Sequence, residues 1–326
     1  MSTYKQIHGT DIEVLSSDPA NPVDGQVWYN STSNTVKANF INPGSWATGG
    51  SLNNSRGSAS GAGTQTAAFI AGGSTPTPTG SSTVVSTEIY NGSNWTSVND
   101  INDGHIGGAG FGSTLAAIVT GGEPPATGLT ESWNGTSWTE VNDLNTGRDY
   151  LGSAGIQTAG LVFGGEAPAP TAVTESWNGT SWTEVNDLNT IKHRLGSAGI
   201  QTAALAFGGN FPITTATTES WNGTSWTEVN DLNTSRYNLA GAGTQTSALA
   251  FGGSTFPFAY SAATESWNGT SWTSSVDLAT ARILLVGAGA DNTSGLAYSG
   301  LDGATGGSSA TEEFNAGPLT VTFSDS

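Results

Sequence analysis

One basic residue and one glutamate recur at matched positions along the chain. The basic residue precedes a glycine by 16 positions in five of six copies. Opposite charges that recur once per unit predict a buried or half-buried ion pair in each unit. The alternative interpretation is a cationic ring that captures an anionic sugar. The basic residues are Arg56, His105, Arg148, Lys192, Arg236 and Arg282, and the glutamates are Glu88, Glu131, Glu175, Glu219, Glu265 and Glu312.

The other residues that are able to catalyse a reaction or bind a metal are scattered. His8, His105 and His193 stand at unrelated places and predict no metal cluster. An aspartate recurs in the polar stretches, but calcium takes six to eight oxygen ligands, so capping of a turn is the favoured role. We therefore expect no catalytic residue, no metal and no cofactor, and we do not expect the protein to be an enzyme. The aspartates are Asp143, Asp187, Asp231 and Asp277.

The net charge of −18 argues against two classes of partner. Such a chain repels phosphate backbones and anionic lipid surfaces, so neither nucleic acid nor membrane is an expected partner. No apolar stretch reaches the 18 residues of a membrane-spanning helix. The N-terminus lacks the basic and apolar segments of a signal peptide, so synthesis in a cytoplasm is expected.

The candidate residues recur within a repeat, which is marked by a nine-residue sequence motif. "TESWNGTSW" occurs at 130–138, 174–182, 218–226 and 264–272, with a looser copy at 87–95. Asn and Gly both tolerate a positive φ, so the phrase predicts a tight hairpin turn between two antiparallel strands. With the Gly/Ala-rich run and the apolar run that ends in Gly-Gly, each unit of about 44 residues contains four predicted strands. The tryptophans that end the phrase or its equivalent are Trp46, Trp95, Trp138, Trp182, Trp226 and Trp272.

The repeat resembles the Kelch motif. A basic residue, an apolar run ending in Gly-Gly, a spaced aromatic and a closing tryptophan recur in that order over about residues 56–318. The resemblance implies an all-β, Kelch-like β-propeller of six four-stranded blades over residues 46–326. A hairpin-like piece at 25–50 leaves a seventh blade open. The last unit lacks a closing tryptophan, so we expect the Trp46 strand to complete or flank the last blade.

The connections after the glycine pairs vary in length and composition while the Asn-Gly turns stay nearly constant. In a four-stranded antiparallel blade these two sets of connections emerge on opposite faces, so one face is variable. Variable loops on a rigid scaffold are typical of a binding surface. The predicted ligand- or partner-binding residues are the aromatic ones in these loops, Phe211, Phe256, Phe258 and Tyr260.

Residues 1–45 lie outside the repeat and form a predicted N-terminal hairpin or docking segment. "DPANPVDGQVWYN" at 18–30 resembles a leader found in structural and tail-fibre-like proteins of phages, especially marine and cyanobacterial ones. The resemblance implies a virion component made in the host cytoplasm, attached to other virion proteins through this segment and oligomeric in the assembly. An ordinary hairpin packed on the propeller is the alternative.

Together these features predict a virion-associated structural protein, such as a tail or neck fibre, whose propeller binds a host-surface glycan or protein receptor. Two alternatives remain open. One is a purely structural decoration or linker protein of a viral particle, and the less favoured one is a carbohydrate-active enzyme.

Overall fold

The computed structural model describes residues 12–20, 25–77, 80–123, 125–303 and 306–323. These residues form strands, turns and bends, so the all-β prediction is confirmed for the part of the chain that is described. Within it, no helix has the length and apolar character needed to cross a membrane. The chain divides into two compact units, Met1–Gly44 with Ala316–Ser326, and Ser45–Asn315. The predicted N-terminal segment 1–45 thus corresponds to most of the first unit, to which the end of the chain also belongs.

The described N-terminal residues of the first unit form three strands. They are β1 (Glu13–Leu15), β2 (Val27–Asn30) and the first part of β3 (Thr35–Thr48). β1 pairs with β2 in parallel, and β2 pairs with β3 in antiparallel orientation. The predicted hairpin of "VWYN" and "TVKA" is therefore present as β2 and β3.

Asp18 connects the chain before β2 to this hairpin. Its carboxylate accepts hydrogen bonds from Trp28 Nε1 at 3.0 Å and Asn30 Nδ2 at 2.7 Å, and it forms an ion pair with Lys37 Nζ at 2.6 Å. The hydrogen bond from Lys37, followed by those from Asn30 and Trp28, lowers the pKa of Asp18 to about 2. The Asp, Trp and Asn of the leader motif thus form one local network.

The second unit is built from antiparallel sheets, five of which have four strands among the described residues. The first comprises β4 (Ser60–Thr64), β5 (Ala67–Ala71), an inserted hairpin of β6 (Ser74–Thr77) and β7 (Gly80–Thr83), then β8 (Thr87–Tyr90) and β9 (Trp95–Val98). The second comprises β10 (Ala109–Gly112), β11 (Ala117–Thr120), β12 (Thr130–Trp133) and β13 (Trp138–Val141). The third comprises β14 (Gly152–Ile156), β15 (Ala159–Phe163), β16 (Thr174–Trp177) and β17 (Trp182–Val185).

The next two sheets repeat this plan. The fourth comprises β18 (Gly196–Ile200), β19 (Ala203–Phe207), β20 (Thr218–Trp221) and β21 (Trp226–Val229). The fifth comprises β22 (Ala240–Thr244), β23 (Ser247–Phe251), an inserted pair of β24 (Ser254–Thr255) and β25 (Ala259–Tyr260), then β26 (Thr264–Trp267) and β27 (Trp272–Ser274). These repeated four-stranded sheets make the unit β-propeller-like.

The last group of strands departs from the plan because its fourth strand, β3, comes from the start of the repeat region. Its strands are β28 (Arg282–Ile283), β29 (Val286–Asp291), β30 (Ser294–Tyr298), β31 (Leu301–Asp302), β32 (Gly306–Gly307) and β33 (Thr311–Phe323). Within the second unit the strand order is β29-β30-β33-β3, and these strands belong to a sheet of six strands. β28, β31 and β32 form a small separate sheet. The indole of Trp46 in β3 packs on Phe251 and Phe314, with ring centroids 5.2 and 5.1 Å apart. The Trp46 strand therefore flanks the last sheet, as the sequence predicts.

The repeated phrase forms the hairpin between the third and fourth strands of a sheet. In the second sheet Trp133 pairs with Trp138, so the loop has four residues, 134–137. Asn134 Oδ1 accepts hydrogen bonds from the N–H groups of Thr136 and Ser137, both at 2.9 Å. Of the four residues only Gly135 has a positive φ, +90°. The asparagine thus stabilises the turn through its side chain rather than through a left-handed backbone.

The first strands of the sheets pack against one another, and this close approach explains their glycine and alanine content. β4 contacts β10, and the contacts continue through β14, β18, β22 and β29 back to β4. A Cβ atom on Gly241 would lie 2.3 Å from the carbonyl oxygen of Ser197, so a larger residue does not fit there. These strands line a central cavity of about 240 Å³.

Candidate binding face

The basic residue of each unit is buried and ties three parts of its sheet together. Arg148 donates to Glu175 Oε1 at 3.1 Å and to the carbonyl oxygens of Gly164 and Val173 at 2.7 and 2.6 Å. Glu175 Oε2 accepts from the backbone and side-chain nitrogens of Asn145 at 2.8 and 2.7 Å. Burial lowers the pKa of Arg148, and the charge of Glu175 opposes that shift.

The same arrangement recurs with lysine and histidine side chains at the basic position. Lys192 lies 3.1 Å from Glu219, and His105 Nε2 lies 3.6 Å from Glu131. All six basic side chains are inaccessible to solvent, so they present no cationic ring to an anionic sugar. The remaining pairs are Arg56 with Glu88 at 2.6 Å, Arg236 with Glu265 at 2.9 Å and Arg282 with Glu312 at 2.8 Å.

The predicted variable loops and the residues just after the basic position lie together on one surface, which we call the loop face. In each unit the residue after the basic one forms a β-bridge with the first residue after the glycine pair, as Asp149 does with Glu166 and His193 with Asn210. The loop face comprises the described parts of 74–86, 123–129, 166–173, 210–217, 254–263 and 301–310, with residues 57–58, 106–107, 149–150, 193–194, 237–238 and 283–284.

A continuous series of backbone hydrogen bonds surrounds the central cavity at the loop face. The N–H of Tyr150 donates to the carbonyl of Gly107 at 2.7 Å, and Arg194 donates to Tyr150 at 2.8 Å. The series ends where it starts, because Ser58 donates to Leu284 at 3.0 Å. The six residues of the series all have a left-handed φ, between 49° and 69°. In chain order they are Ser58, Gly107, Tyr150, Arg194, Asn238 and Leu284.

Side chains from three units meet at this opening. A Cβ on Gly107 would lie 2.9 Å from the ring of Tyr150, so the tyrosine occupies space that the glycine leaves vacant. The hydroxyl of Tyr150 donates to Glu123 Oε1 at 3.2 Å. The guanidinium of Arg194 lies 4.1 Å from the centre of the same ring, a cation–π contact. Glu123, Tyr150 and Arg194 thus form one polar group beside the cavity.

Asp149 adds a buried carboxylate to this region. It is 6% exposed, and its Oδ1 has no hydrogen-bond partner among the described residues. Burial, followed by the charges of Glu123 and Glu166, raises the pKa of Asp149 to about 6, while Arg194 acts in the opposite direction. His193 Nδ1 lies 2.9 Å from Glu166 Oε2, and burial followed by the charge of Arg194 lowers the pKa of His193.

The predicted aromatic residues lie on the loop face and are accessible. Phe211, Phe256 and Phe258 are 41%, 82% and 57% exposed, and Tyr260 is partly exposed. The rings of Phe258 and Tyr260 pack edge to face, with centroids 5.6 Å apart. Phe211 and Phe258 have φ values of 143° and 148°, a region that L side chains rarely adopt.

The recurring aspartates act within the sheets. Asp143 Oδ1 accepts a hydrogen bond from the N–H of Thr130 at 3.2 Å, and Asp187, Asp231 and Asp277 do the same for Thr174, Thr218 and Thr264. Among the described residues no group of three or more His, Asp or Glu side chains is placed to hold a metal. Of the three histidines, His105 and His193 contact separate glutamates, Glu131 and Glu166, and His8 lies outside the described residues.

The sequence analysis missed Glu123, Asp149, Tyr150 and Arg194. One signal was present: the position two residues after the basic one changes in every unit, from serine through glycine, tyrosine, arginine and asparagine to leucine. In a chain that otherwise repeats closely, such a position is free of a shared packing role. Comparison with protein-family models and with curated proteins finds no match for this chain. The geometry offers a rigid surface with exposed aromatics and a polar opening, which suits the binding of a ligand.

Proposed function

We propose that residues 46–315 form a six-bladed Kelch-like β-propeller whose loop face binds a host-surface glycan or protein receptor. We further propose that the chain is a virion-associated structural protein of a phage, for example part of a tail or neck fibre. The six-bladed assignment is supported by the six-membered series of backbone hydrogen bonds from Ser58 back to Leu284. It is also supported by the Trp46 strand, β3, which lies next to β33 as the fourth strand of the last group.

The exposed aromatic side chains of the loop face carry the binding proposal. Phe256 and Phe258 lie in the connection 254–263. The equivalent connections 74–86, 123–129, 166–173 and 301–310 contain no aromatic residue, so the scaffold does not need aromatics there to fold. Removal of an exposed ring costs the protein little stability. A ring that fills a partner's pocket or stacks on a sugar contributes about 1–2 kcal/mol or more to binding. The opposite face has near-identical Asn-Gly turns and offers no such variety.

The virion part of the proposal rests on the leader motif at 18–30. Asp18, Trp28, Asn30 and Lys37 form a compact network, so the described residues of this segment offer an ordered surface for docking on another virion protein. Mass spectrometry of particles purified from an infected culture is expected to detect the chain. Its absence from intact particles would contradict the virion assignment.

The binding proposal is tested with the labelled full-length chain on an array of bacterial surface glycans. We expect binding that is lost in the Phe256→Ala/Phe258→Ala variant and kept in Leu115→Ala, because Leu115 is 74% exposed but lies at a turn remote from the loops. Equal binding by both variants would show that the aromatic loop is not the contact surface. No binding by the wild-type chain would favour the purely structural role.

A further inference from the structure

A second depression on the loop face lies away from the aromatic loop. Its volume is about 450 Å³, within the range of about 300–1,000 Å³ found for small-molecule sites. Ser58, Tyr150 and Leu284 line both this depression and the central cavity, so they form its bottom. The other lining residues are Ser74, Pro76, Ser81, Ile106, Glu123 and Leu301.

The first two units carry small residues beside the depression. The residue after the basic position is Gly57 in the first unit, whereas the other units have isoleucine, aspartate, histidine or tyrosine there. The next position is Ser58 in the first unit and Gly107 in the second, the two smallest residues in that series. Leu301 takes the space beside Gly57, where a Cβ atom would lie 2.8 Å from its side chain, and Tyr150 takes the space beside Gly107. The small residues thus allow two of the lining side chains, Leu301 and Tyr150, to pack at the edge of the depression.

One wall of the depression is an insertion. The connection at 74–86 is the longest of the set, and it folds into the hairpin of β6 and β7. Pro76 and Ser81 are cross-strand partners in this hairpin, and both line the depression. Because side chains alternate along a strand, the neighbouring Ser82 points to the other side of the hairpin.

The lining combines apolar surface with a few hydrogen-bonding groups. Pro76, Ile106, Leu284 and Leu301 supply the apolar part, and the serines supply hydroxyls. Glu123 is the only charged side chain among the lining residues, and its Oε1 already accepts from Tyr150. A carboxylate beside hydroxyls accepts hydrogen bonds from neighbouring sugar hydroxyls, while the apolar surface suits the C–H face of a sugar ring. The carboxylate of Glu123 repels the negative charge of a carboxylated or sulfated sugar and so disfavours such a ligand.

We infer that this depression binds a single uncharged pyranose ring, with Glu123 as the principal hydrogen-bond acceptor and Pro76 and Leu301 as apolar contacts. The inference rests on the proposed glycan-binding function, because it names the class of ligand and the part of the loop face that takes it. In this arrangement the depression selects the sugar, and the aromatic loop with Phe256 and Phe258 is a separate contact.

The test measures binding of a panel of methyl pyranosides of neutral hexoses and N-acetylhexosamines to the full-length chain by saturation-transfer NMR and titration. Ser81→Trp fills the depression from an exposed position, and Ser82→Trp places the same side chain on the other side of the hairpin. We expect Ser81→Trp and Glu123→Gln to weaken binding by about tenfold or more, equivalent to about 1.4 kcal/mol. Ser82→Trp is expected to bind the pyranoside as the wild type does.

Two results would overturn the inference. One is the absence of binding to the wild-type chain by every pyranoside of the panel, and the other is binding that Ser81→Trp leaves unchanged. The glycan array separates this failure from that of the proposed function. Array binding that depends on Phe256 and Phe258 but not on Ser81 leaves the loop-face function standing and refutes the depression as the sugar site. Pyranoside binding without any array binding supports the depression and contradicts host recognition.

Discussion

The indole N–H of Trp46 donates a hydrogen bond to the hydroxyl of Thr264 at 3.1 Å, although 218 positions separate the two residues. Equivalent bonds join the closing tryptophan of one sheet to a threonine of the preceding sheet, at 3.1 Å or less. The pairs are Trp95 with Thr311, Trp138 with Thr87, Trp226 with Thr174 and Trp272 with Thr218. The last unit has no closing tryptophan of its own. Trp46 therefore provides the equivalent hydrogen bond for the last sheet.

Replacing Trp46 with alanine is expected to destabilise the protein strongly. The change removes packing on Phe251 and Phe314 and the hydrogen bonds to Thr264 and to the carbonyl of Val276. Since Trp46 is half-buried, we expect a loss of about 2–4 kcal/mol, somewhat below that of a fully buried tryptophan. Chemical denaturation measures it, with Trp46→Phe as the control that retains most of the packing. A loss below about 1 kcal/mol would show that the Trp46 strand contributes little to the last sheet.

Trp182 is the member of the tryptophan series whose buried Nε1 has no hydrogen-bond partner among the described residues. Its expected acceptor, the hydroxyl of Thr130, instead bonds to Thr120 at 2.7 Å. An unsatisfied buried donor is costly, so Trp182→Phe removes a penalty together with some packing. Trp226→Phe removes a satisfied hydrogen bond to Thr174. We expect Trp182→Phe to be the less destabilising of the two by about 1 kcal/mol. Equal losses in urea denaturation would contradict the assigned hydrogen bonds.

The buried ion pairs predict an asymmetry between two substitutions of Arg148. Arg148→Met leaves Glu175 buried without a cation and is expected to cost about 3–5 kcal/mol. Arg148→Lys is expected to cost clearly less, because Lys192 already forms the equivalent pair with Glu219 at 3.1 Å. The free energy of unfolding at neutral pH checks both. Similar losses would indicate that the guanidinium's bonds to the carbonyls of Gly164 and Val173, rather than the charge, hold this position.

Much of this architecture is predictable from the sequence because it depends on local patterns. Alternating strands, Gly-Gly pairs and the "WNGTSW" hairpin define the sheets, and the pairing of the basic position with glutamate follows from their equal spacing. The fit of the Trp46 strand against β33 is likewise implied by what the last unit lacks. In each case the signal is found by aligning the repeats along the chain.

The opening of the central cavity is not predictable in this way. Tyr150 reaches Glu123 and Arg194 only because its backbone is left-handed and because Gly107 leaves space for its ring. These residues come from three different units, and their approach depends on the relative placement of the sheets. No pattern within one unit contains that information. The turn of Asn134 is a smaller example, since the sequence does not show whether asparagine acts through its backbone or its side chain.

The raised pKa of Asp149 predicts a pH-dependent effect of Asp149→Asn. The pKa of Asp149 is about 6 in the folded chain, against an ordinary value of 3.8. The protonated carboxyl therefore contributes its full stabilisation below pH 3.8, and this contribution is lost as the pH rises through 6. Removal of the charge is therefore expected to stabilise the protein by about 1–3 kcal/mol at pH 8 and to have little effect near pH 4. Unfolding of both proteins measured from pH 4 to 8 checks this difference. A difference that does not change with pH would contradict the assignment.

Phe251 and Phe256 lie five positions apart and predict opposite responses to the same substitution. Phe251 is fully buried and packs beside Trp46, whereas Phe256 is 82% exposed on the loop face. Phe251→Ala opens a cavity in the core and is expected to lower the free energy of unfolding by about 3–5 kcal/mol. Phe256→Ala is expected to change it by no more than about 0.5 kcal/mol, because its ring is already in water. Thermal melts of the two variants check this directly. A large loss of stability in Phe256→Ala would place that ring in the core, and any weaker binding by the variant would then reflect unfolding rather than a lost contact.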